Sequence, residues 1–287
     1  MQEKKRGRTH SRWLLPAALV LAGAAWFENF TLSTSTVTAA CAALPEAFSG
    51  LRIVQISDLH GRRFDAESRY LLELVRLQSP DLIALTGDLA DEFTDFSMLP
   101  PLLDGLTALA PTFYVTGNHE WVLSREKREV LFSMLDAAGV VRLQNEYRLL
   151  KKGQASIVLA GVDDPNGPYD QKRPAQLVRE IRQSRGRDAY VLMLSHRNDE
   201  LDLWANMGVQ TVLCGHGHGG IVRLPFVGAV FGTHLDLFPD YTAGLYQKGQ
   251  TSMIVSRGLG GSRKLPLRIG NRPEIVTVIL KAESGKV

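Results

Sequence analysis

Residues 51–60 read Leu-Arg-Ile-Val-Gln-Ile-Ser-Asp-Leu-His, and the fold follows from how this stretch is read. Leu51 to Ser57 has the β-branched, apolar character of a buried strand. It runs directly into Asp58 and His60, two polar side chains that period-2 geometry places on the same side of an extended segment. In α/β architectures ligands bind outside the carboxyl ends of strands, so a buried strand that ends in a polar pair marks one wall of a site.

Working outward, the same cadence returns. Glu67 to Gln78 carries Leu71, Leu74, Val75 and Leu77 at helical spacing and stops at Pro80, and Leu82 to Thr86 is the next strand. A helix around Met98 to Leu109 leads to strand Thr112 to Thr116, and a helix around Glu126 to Ala138 ends at Gly139. From Val141 to Gly161 short strands meet at a Lys152-Gly153 turn, which reads as a hairpin. Arg173 to Arg185 is helical, Tyr190 to Leu194 and Thr211 to Cys214 are buried strands, and the remainder, including Met253 to Ser256 and Ile275 to Leu280, is mostly strand and loop. Upstream, Thr34 to Thr38 reads as an opening strand followed by a turn over Pro45 to Gly50. Helices early and hairpins late predict an α/β domain of two packed mixed β-sheets flanked by helices.

Each buried strand ends in a polar cluster: Asp58-Leu59-His60, Gly87-Asp88-Leu89-Ala90-Asp91, Gly117-Asn118-His119-Glu120, Ser195-His196 and Gly215-His216-Gly217-His218. Five of the seven histidines lie in these clusters. A lone histidine at a core edge is usually a satisfied polar residue, but so many uncompensated Asp and His groups would cost several kcal/mol each. Divalent metal would compensate them. Carboxylates, imidazoles and one amide oxygen suit Mn, Fe or Zn better than calcium. Asp58, His60, Asp88, Asn118, His196, His216 and His218 make seven candidate ligands, too many for one ion and about right for two that share a carboxylate.

These motifs, in this order and spacing, resemble the calcineurin-like metallophosphoesterases over about residues 31–283, and within that family the small, often membrane-attached bacterial phosphodiesterases. Gly50 to His60, Ser256 to Gly260 and Pro273 to Ile275 carry the likeness to that branch. The resemblance implies a four-layer sandwich and two divalent transition-metal ions. Asp58, His60, Asp88 and His218 would hold one, and Asp88, Asn118, His196 and His216 the other, with Asp88 bridging. It also implies hydrolysis of a phosphodiester, phosphomonoester or pyrophosphate by a metal-activated water, with His119 as the general acid and Asp91 orienting it. One position departs from the pattern. Many relatives have a short or apolar residue before proline after the histidine, whereas this chain has Arg197, which would place a guanidinium near the substrate.

Other signals are weaker. Gly215 to Gly220 matches the dinucleotide fingerprint letter for letter, but Ile221 to Val227 contains Pro225 and lacks helical period, so no helix N-terminus is available for a pyrophosphate. Arg62 and Arg63 either meet substrate phosphates or form a solvated pair. His234 lies in a Gly-rich, aromatic stretch that lines the site mouth or the surface. Glu120, Asp163 and Asp164 read as supporting or turn residues rather than ligands, and Trp121 and Trp204 as core or rim aromatics.

The 287 residues, 45% of them apolar, fit one catalytic domain, 31–287, behind an N-terminal extension, 1–30. The formal charge is +3, but residues 1–12 carry +4 of it and leave −1 on the rest. A near-neutral body lacks the net footprint of a nucleic-acid binder. Two cysteines, Cys41 and Cys214, exclude a disulfide framework and a cysteine-built zinc site and allow at most one bridge. After the basic stretch, residues 13–27 form an uncharged, nearly all apolar run flanked by Trp13 and Trp26. It is short for a membrane span, so a transmembrane anchor, a cleaved signal and a buried helix all stay open. Five Lys/Arg precede the run and none follows before Arg52, which predicts a membrane-attached, extracytoplasmic body, or a secreted one if the run is cleaved. A tether of this kind makes a lipid-linked phosphate attractive as substrate. Two other functions remain at this level: a metal-lined binding scaffold without catalysis, and two-metal hydrolysis of a non-phosphate bond. The complete signature with His119 disfavours both.

Overall fold

The structure is a computed structural model that describes residues 11–233, 235–261 and 268–283; the basic residues 1–10 and His234 lie outside the described residues. Helix α1 (Ser11–Phe30) leads into β1 (Ser33–Cys41), then β2 (Arg52–Ile56), α2 (Arg69–Leu77), β3 (Leu82–Thr86), α3 (Leu99–Leu109) and β4 (Thr112–Val115). A short helix α4 (Asn118–Val122) precedes α5 (Arg125–Ala137) and β5 (Val141–Arg142). Next come the hairpin β6 (Glu146–Lys152) and β7 (Ala155–Gly161), then α6 (Pro174–Arg185), β8 (Val191–Leu194), α7 (Leu201–Asn206) and β9 (Thr211–Cys214). A small pair, β10 (Val222–Leu224) and β11 (Gly228–Phe231), is followed by β12 (Gly244–Lys248), β13 (Thr251–Val255) and β14 (Glu274–Ala282).

Two six-stranded sheets carry the fold, in the orders β1-β14-β2-β3-β4-β5 and β12-β13-β9-β8-β7-β6. Both are mixed. In the first, β2, β3, β4 and β5 are mutually parallel and β14 runs antiparallel to β2. In the second, a parallel centre of β13, β9, β8 and β7 is flanked by the antiparallel edges β12 and β6. Alternation along the strands then builds the layers. Val54, Ile56, Ile83 and Leu85 face α2, α3 and α5 through Leu71, Val75, Leu102, Leu106 and Leu131. Ile53, Ala84, Val115, Leu159, Leu192 and Leu213 meet between the sheets. Val191, Met193 and Val212 face Leu177, Ile181 and Trp204 of α6 and α7. The result is the expected helix-sheet-sheet-helix sandwich.

Most element boundaries agree with the sequence reading to within a residue or two. The opening strand is longer than expected, and α2 starts late because the Asp65 carboxylate accepts the N–H groups of Glu67, Arg69 and Tyr70 in the turn before it. The segment after Gly220 goes into β10 rather than a helix, which removes the dinucleotide reading. Trp204 is a fully buried core residue. Cys41 and Cys214 are separate buried thiols.

The apolar run 13–27 lies within α1, and among the described residues no helix is long and apolar enough to cross a membrane. Leu19, Val20, Trp26, Phe27 and Phe30 of α1 are exposed, but its end is fastened to the body. The Asn29 side chain donates to Arg268 O at 3.1 Å and accepts the Arg268 N–H at 2.9 Å. Arg272 lies over the Phe27 ring and donates to Thr31 Oγ1.

Candidate metal centre

The parallel strands β2, β3 and β4 of one sheet and β8 and β9 of the other deliver their carboxyl ends to one place. Under it, Gln55 on β2 ties the sheets together, its Nε2 donating to Thr86 Oγ1 at 3.0 Å and to Cys214 O at 2.8 Å. Beyond the strand ends the backbone turns abruptly, and Asp58, His60, Asp88, His216 and His218 all have φ between 49° and 65°. A non-glycine residue in the left-handed region is held there against a local penalty, and such residues concentrate at functional sites. Two glycines permit the crowding. A Cβ on Gly117 would come within 2.2 Å of Asp88 Oδ1, and one on Gly215 within 1.9 Å of Ser57 Oγ.

These turns bring the seven candidate ligands together. The donor atoms of Asp58, His60 and His218 lie within 4.8 Å of one another, as do those of Asp88, His196 and His216. His218 Nε2 is 3.6 Å from Asp58 Oδ1, and His60 Nε2 is 3.7 Å from Asp88 Oδ2. His196 Nε2 is 3.2 Å from both Asp88 Oδ2 and Asn118 Oδ1 and 3.1 Å from His216 Nδ1. Asp88 thus stands between the two groups. A third grouping of His60, Asp88 and His119 puts the expected acid on the same floor, its ring edge-on to His60 with centroids 4.7 Å apart. The His119 N–H donates to Asp88 Oδ1 at 2.8 Å, which fixes where the ring starts.

Electrostatics show what this crowd requires. Burial alone would raise Asp88, but the imidazoles of His196, His60 and His119 outweigh it and hold the carboxyl well below the usual range. Asp58 goes the other way, since its burial, with Asp88 as a like charge, exceeds the help from His196 and His60. Burial acts to lower His196, yet the carboxylates of Asp88 and Asp58 push it up to about 10. Burial and the neighbouring His60 drive His218 well below the ordinary imidazole value. His196 therefore holds a proton against Asp88, while Asp58 and His218 are both driven toward their neutral forms by burial. Nε2 of His60 and Nδ1 of His218 are buried with no hydrogen-bond partner, and an unsatisfied buried group costs about 1–3 kcal/mol. Cations would give those nitrogens a partner and the carboxylates their counter-charge. By this test the residues fit a pair of divalent ions with borderline N/O preference.

Asp91 was expected to orient His119; its carboxylate lies 3.7 Å from His60 Nδ1. It also accepts the Phe93 N–H, and despite burial these partners, His60 foremost, bring its pKa down to about 2. Arg62 and Arg63 turn away from the centre. Arg62 donates to Asn29 O and sits against the rings of Phe30 and Phe64, while Arg63 pairs with Asp95 at 2.5 Å.

The sequence reading undervalued two residues. Glu120, fully buried, accepts the N–H groups of Gly117 at 2.7 Å, Asp88 at 3.0 Å, Leu89 at 2.7 Å and Ala90 at 3.3 Å. One carboxylate thereby fixes the turns that present Asp88 and Asn118, although burial and the nearby Asp88 push its own pKa up to about 7. Its signal was its place as third residue of α4, where a carboxylate reaches back to the N–H groups before the helix. Arg268 is the other, a buried guanidinium that donates to Gly260 O at 3.0 Å, Arg257 O at 2.9 Å and Gly258 O at 3.3 Å. It holds the loop whose Leu259 N–H donates to Ser57 O beside Asp58. No motif marks it, because a single arginine acting on carbonyls leaves no pattern.

Glu120→Gln keeps the shape but exchanges one acceptor oxygen for a donor that faces backbone N–H groups. The variant is expected to lose about 1–3 kcal/mol of stability and part of its bound metal, as read by equilibrium denaturation and elemental analysis. Unchanged stability with full metal would show the clamp to be dispensable.

Comparison with known proteins agrees with this geometry. Residues 51–220 match the family described as calcineurin-like phosphoesterase, a span that contains every candidate ligand. The chain is 32% identical over 267 residues to the uncharacterized metallophosphoesterase YkuE of Bacillus subtilis, covering 90% of this chain and 89% of that one. It is 31% identical over 234 residues to the phosphodiesterase YaeI of Escherichia coli, covering 80% and 82%. The strand-end motifs, the paired clusters they build and these relatives lead to one assignment: the chain belongs to the calcineurin-like phosphoesterase family and is a metal-dependent hydrolase of phosphoric esters.

Proposed function

We propose that the chain hydrolyses a phosphate ester over the two clusters that share Asp88, with Asp58, His60, Asp88 and His218 holding one cation and Asp88, Asn118, His196 and His216 the other. The observation that carries this reading is the position of Asp88, whose carboxylate lies 3.7 Å from His60 and 3.2 Å from His196. When bound, the cations supply Lewis acidity that acidifies water and offsets charge on the phosphoryl group. The chain's own groups set the rest. Two carboxylates and one neutral amide oxygen limit the negative charge that faces an anionic substrate. Asp91, beside His60 Nδ1, holds the proton on that nitrogen and leaves Nε2 as the lone pair directed at the centre. His119, beside His60 and Asp88, protonates the departing alkoxide.

The substrate is a phosphodiester, phosphomonoester or pyrophosphate. Activity at a membrane surface outside the cytoplasm, on a lipid-linked phosphate, is the favoured setting. It rests on the charge asymmetry around residues 13–27 and on the exposed apolar side chains of α1.

Three outcomes test this function. Purified protein is expected to bind about two equivalents of transition metal and to lose activity to chelators; elemental analysis that finds no metal in active protein overturns the ligand assignment. Replacing His119 by Ala should leave metal content near wild type. Turnover of an alkyl ester should then fall by about 10²-fold or more, and turnover of a nitrophenyl ester, whose leaving group needs little protonation, far less. Equal losses on the two esters, at matched metal content, would remove the general-acid role. For the location, a reporter fused after Val287 should be active only as an extracytoplasmic fusion, and an active cytoplasmic reporter there reverses the orientation.

A further inference from the structure

Arg197 directly follows His196 and is held in a fork. Its Nε donates to Asp164 Oδ2 at 2.6 Å and its Nη2 to Asp164 Oδ1 at 3.1 Å. Asp164 is buried and itself fixed, since its N–H donates to Thr116 Oγ1 at 3.1 Å and its Oδ1 accepts the Asn166 N–H at 2.9 Å. Such a bidentate pair sets the plane of the guanidinium and leaves its remaining edge pointed in a defined direction. That edge meets the centre, with Nη1 3.0 Å from His216 Nε2, and it borders a cleft of about 530 Å³ that Arg197, Asn198, His216, Thr233 and Tyr241 help to line.

The contact between Arg197 and His216 depends on which imidazole nitrogen carries the proton. His216 turns Nδ1 toward His196 and Nε2 toward Arg197. If Nδ1 gives its lone pair to a cation, the proton resides on Nε2, which then no longer accepts from Arg197. Nη1 is left needing an acceptor on the side of the open cleft. Among the described residues, guanidinium groups around the centre are committed elsewhere: Arg62 to Asn29, Arg63 to Asp95, Arg223 to Gly219 O and Thr242 Oγ1, Arg257 to Glu274 and Arg268 to backbone carbonyls. The remaining charges on the cleft are the carboxylates of Asp199, Asp236 and Asp240, of which Asp199 stands near Arg197 and favours its charge, so Arg197 is the one guanidinium among the described lining residues that an anion could meet.

We propose that Arg197, aimed by Asp164, is a phosphoryl-recognition residue that binds a non-bridging oxygen of the substrate and favours phosphoryl groups bearing two negative charges. This rests on the phosphoesterase reading and adds its charge selectivity. A monoester dianion spreads two charges over three non-bridging oxygens and a diester monoanion one charge over two, so a fixed guanidinium discriminates toward the former.

The test uses the full chain loaded with Mn, as wild type, R197A, R197K and D164N, with metal content measured for each. Binding of inorganic phosphate is followed by calorimetry, and kcat and KM are measured on nitrophenyl phosphate and bis(nitrophenyl) phosphate. In R197A, phosphate affinity should fall and the monoester KM should rise by about 10-fold or more, the scale of a lost charged hydrogen bond. The loss in kcat/KM should be larger for the monoester than for the diester. R197K, which keeps the charge without the fork, should recover only part, and D164N should weaken phosphate binding with Arg197 still present. Unchanged phosphate affinity, or equal losses on the two esters at matched metal content, overturns the proposal. If R197A fails to fold or to load metal, the R197K and D164N comparisons decide by the same ratio. A metal-loaded wild type that turns over neither ester would instead overturn the phosphoesterase reading, while its phosphate affinity relative to the variants still judges Arg197.

Discussion

Two carboxylates, Asp58 and Asp88, sit almost wholly out of water beneath several imidazoles, and much of the architecture around them answers that constraint. Charges in such a place must be neutralised or hydrogen-bonded, since an isolated buried carboxylate is costly enough to shift its protonation instead. The protein meets the demand with the imidazoles and with backbone N–H groups. The His216 N–H donates to Asp58 Oδ1 at 3.0 Å, and the His119 N–H to Asp88 Oδ1 at 2.8 Å. Each of these main-chain donors belongs to a residue whose own side chain joins the site, so one turn both supports a carboxylate and presents the next group. The five left-handed residues at the strand ends follow from that double duty.

Those turns could not be held by their own conformational preference. Glu120 gathers four backbone N–H groups from two strand ends, and Arg268 gathers carbonyls from the loop over Asp58. Asn271 adds a third fastening, its Nδ2 donating to His218 O at 2.8 Å and to Gly220 O at 2.6 Å. A carboxylate for donors, a guanidinium for acceptors and an amide for the last turn satisfy backbone groups that the abrupt turns remove from the sheets. The site is therefore rigid for the same reason that it is strained.

The sheets and the candidate centre were legible because both use local signals. A β-branched run from Leu51 to Ser57 marks a buried strand, and Asp-x-His or Gly-His-x-His at its end marks convergence, since such groups need a common partner. What was not legible depends on distance in the chain. α7 went unread because Leu201 to Asn206 is a turn and a half long, too short for a periodic signal. Arg62 and Arg63 looked like candidates because they follow His60, but the tight turn through Gly61 at φ 63° sends them toward Asn29 and Asp95. The contact of Asp91 with His60 spans a return of chain that no motif records. Glu120 was visible as a letter of its motif, yet its reach to Leu89 and Ala90 joins two strand ends that are neighbours only in the sheet.

The N-terminal helix is tied into the same network. Asn29 exchanges two hydrogen bonds with the backbone of Arg268, whose guanidinium holds Gly258 and Gly260, and a Cβ on either glycine would strike Asp58 itself or its carbonyl. Three links thus connect the end of α1 to a carboxylate of the centre. Cleavage among the small residues at Ala22, Gly23 and Ala24 would fall upstream of Asn29, and a retained anchor would keep the same contact. Whether the apolar run is an anchor, a cleaved signal or a buried helix, the clasp stays on the body, so residues 29 to 31 serve the catalytic domain whatever the segment before them does.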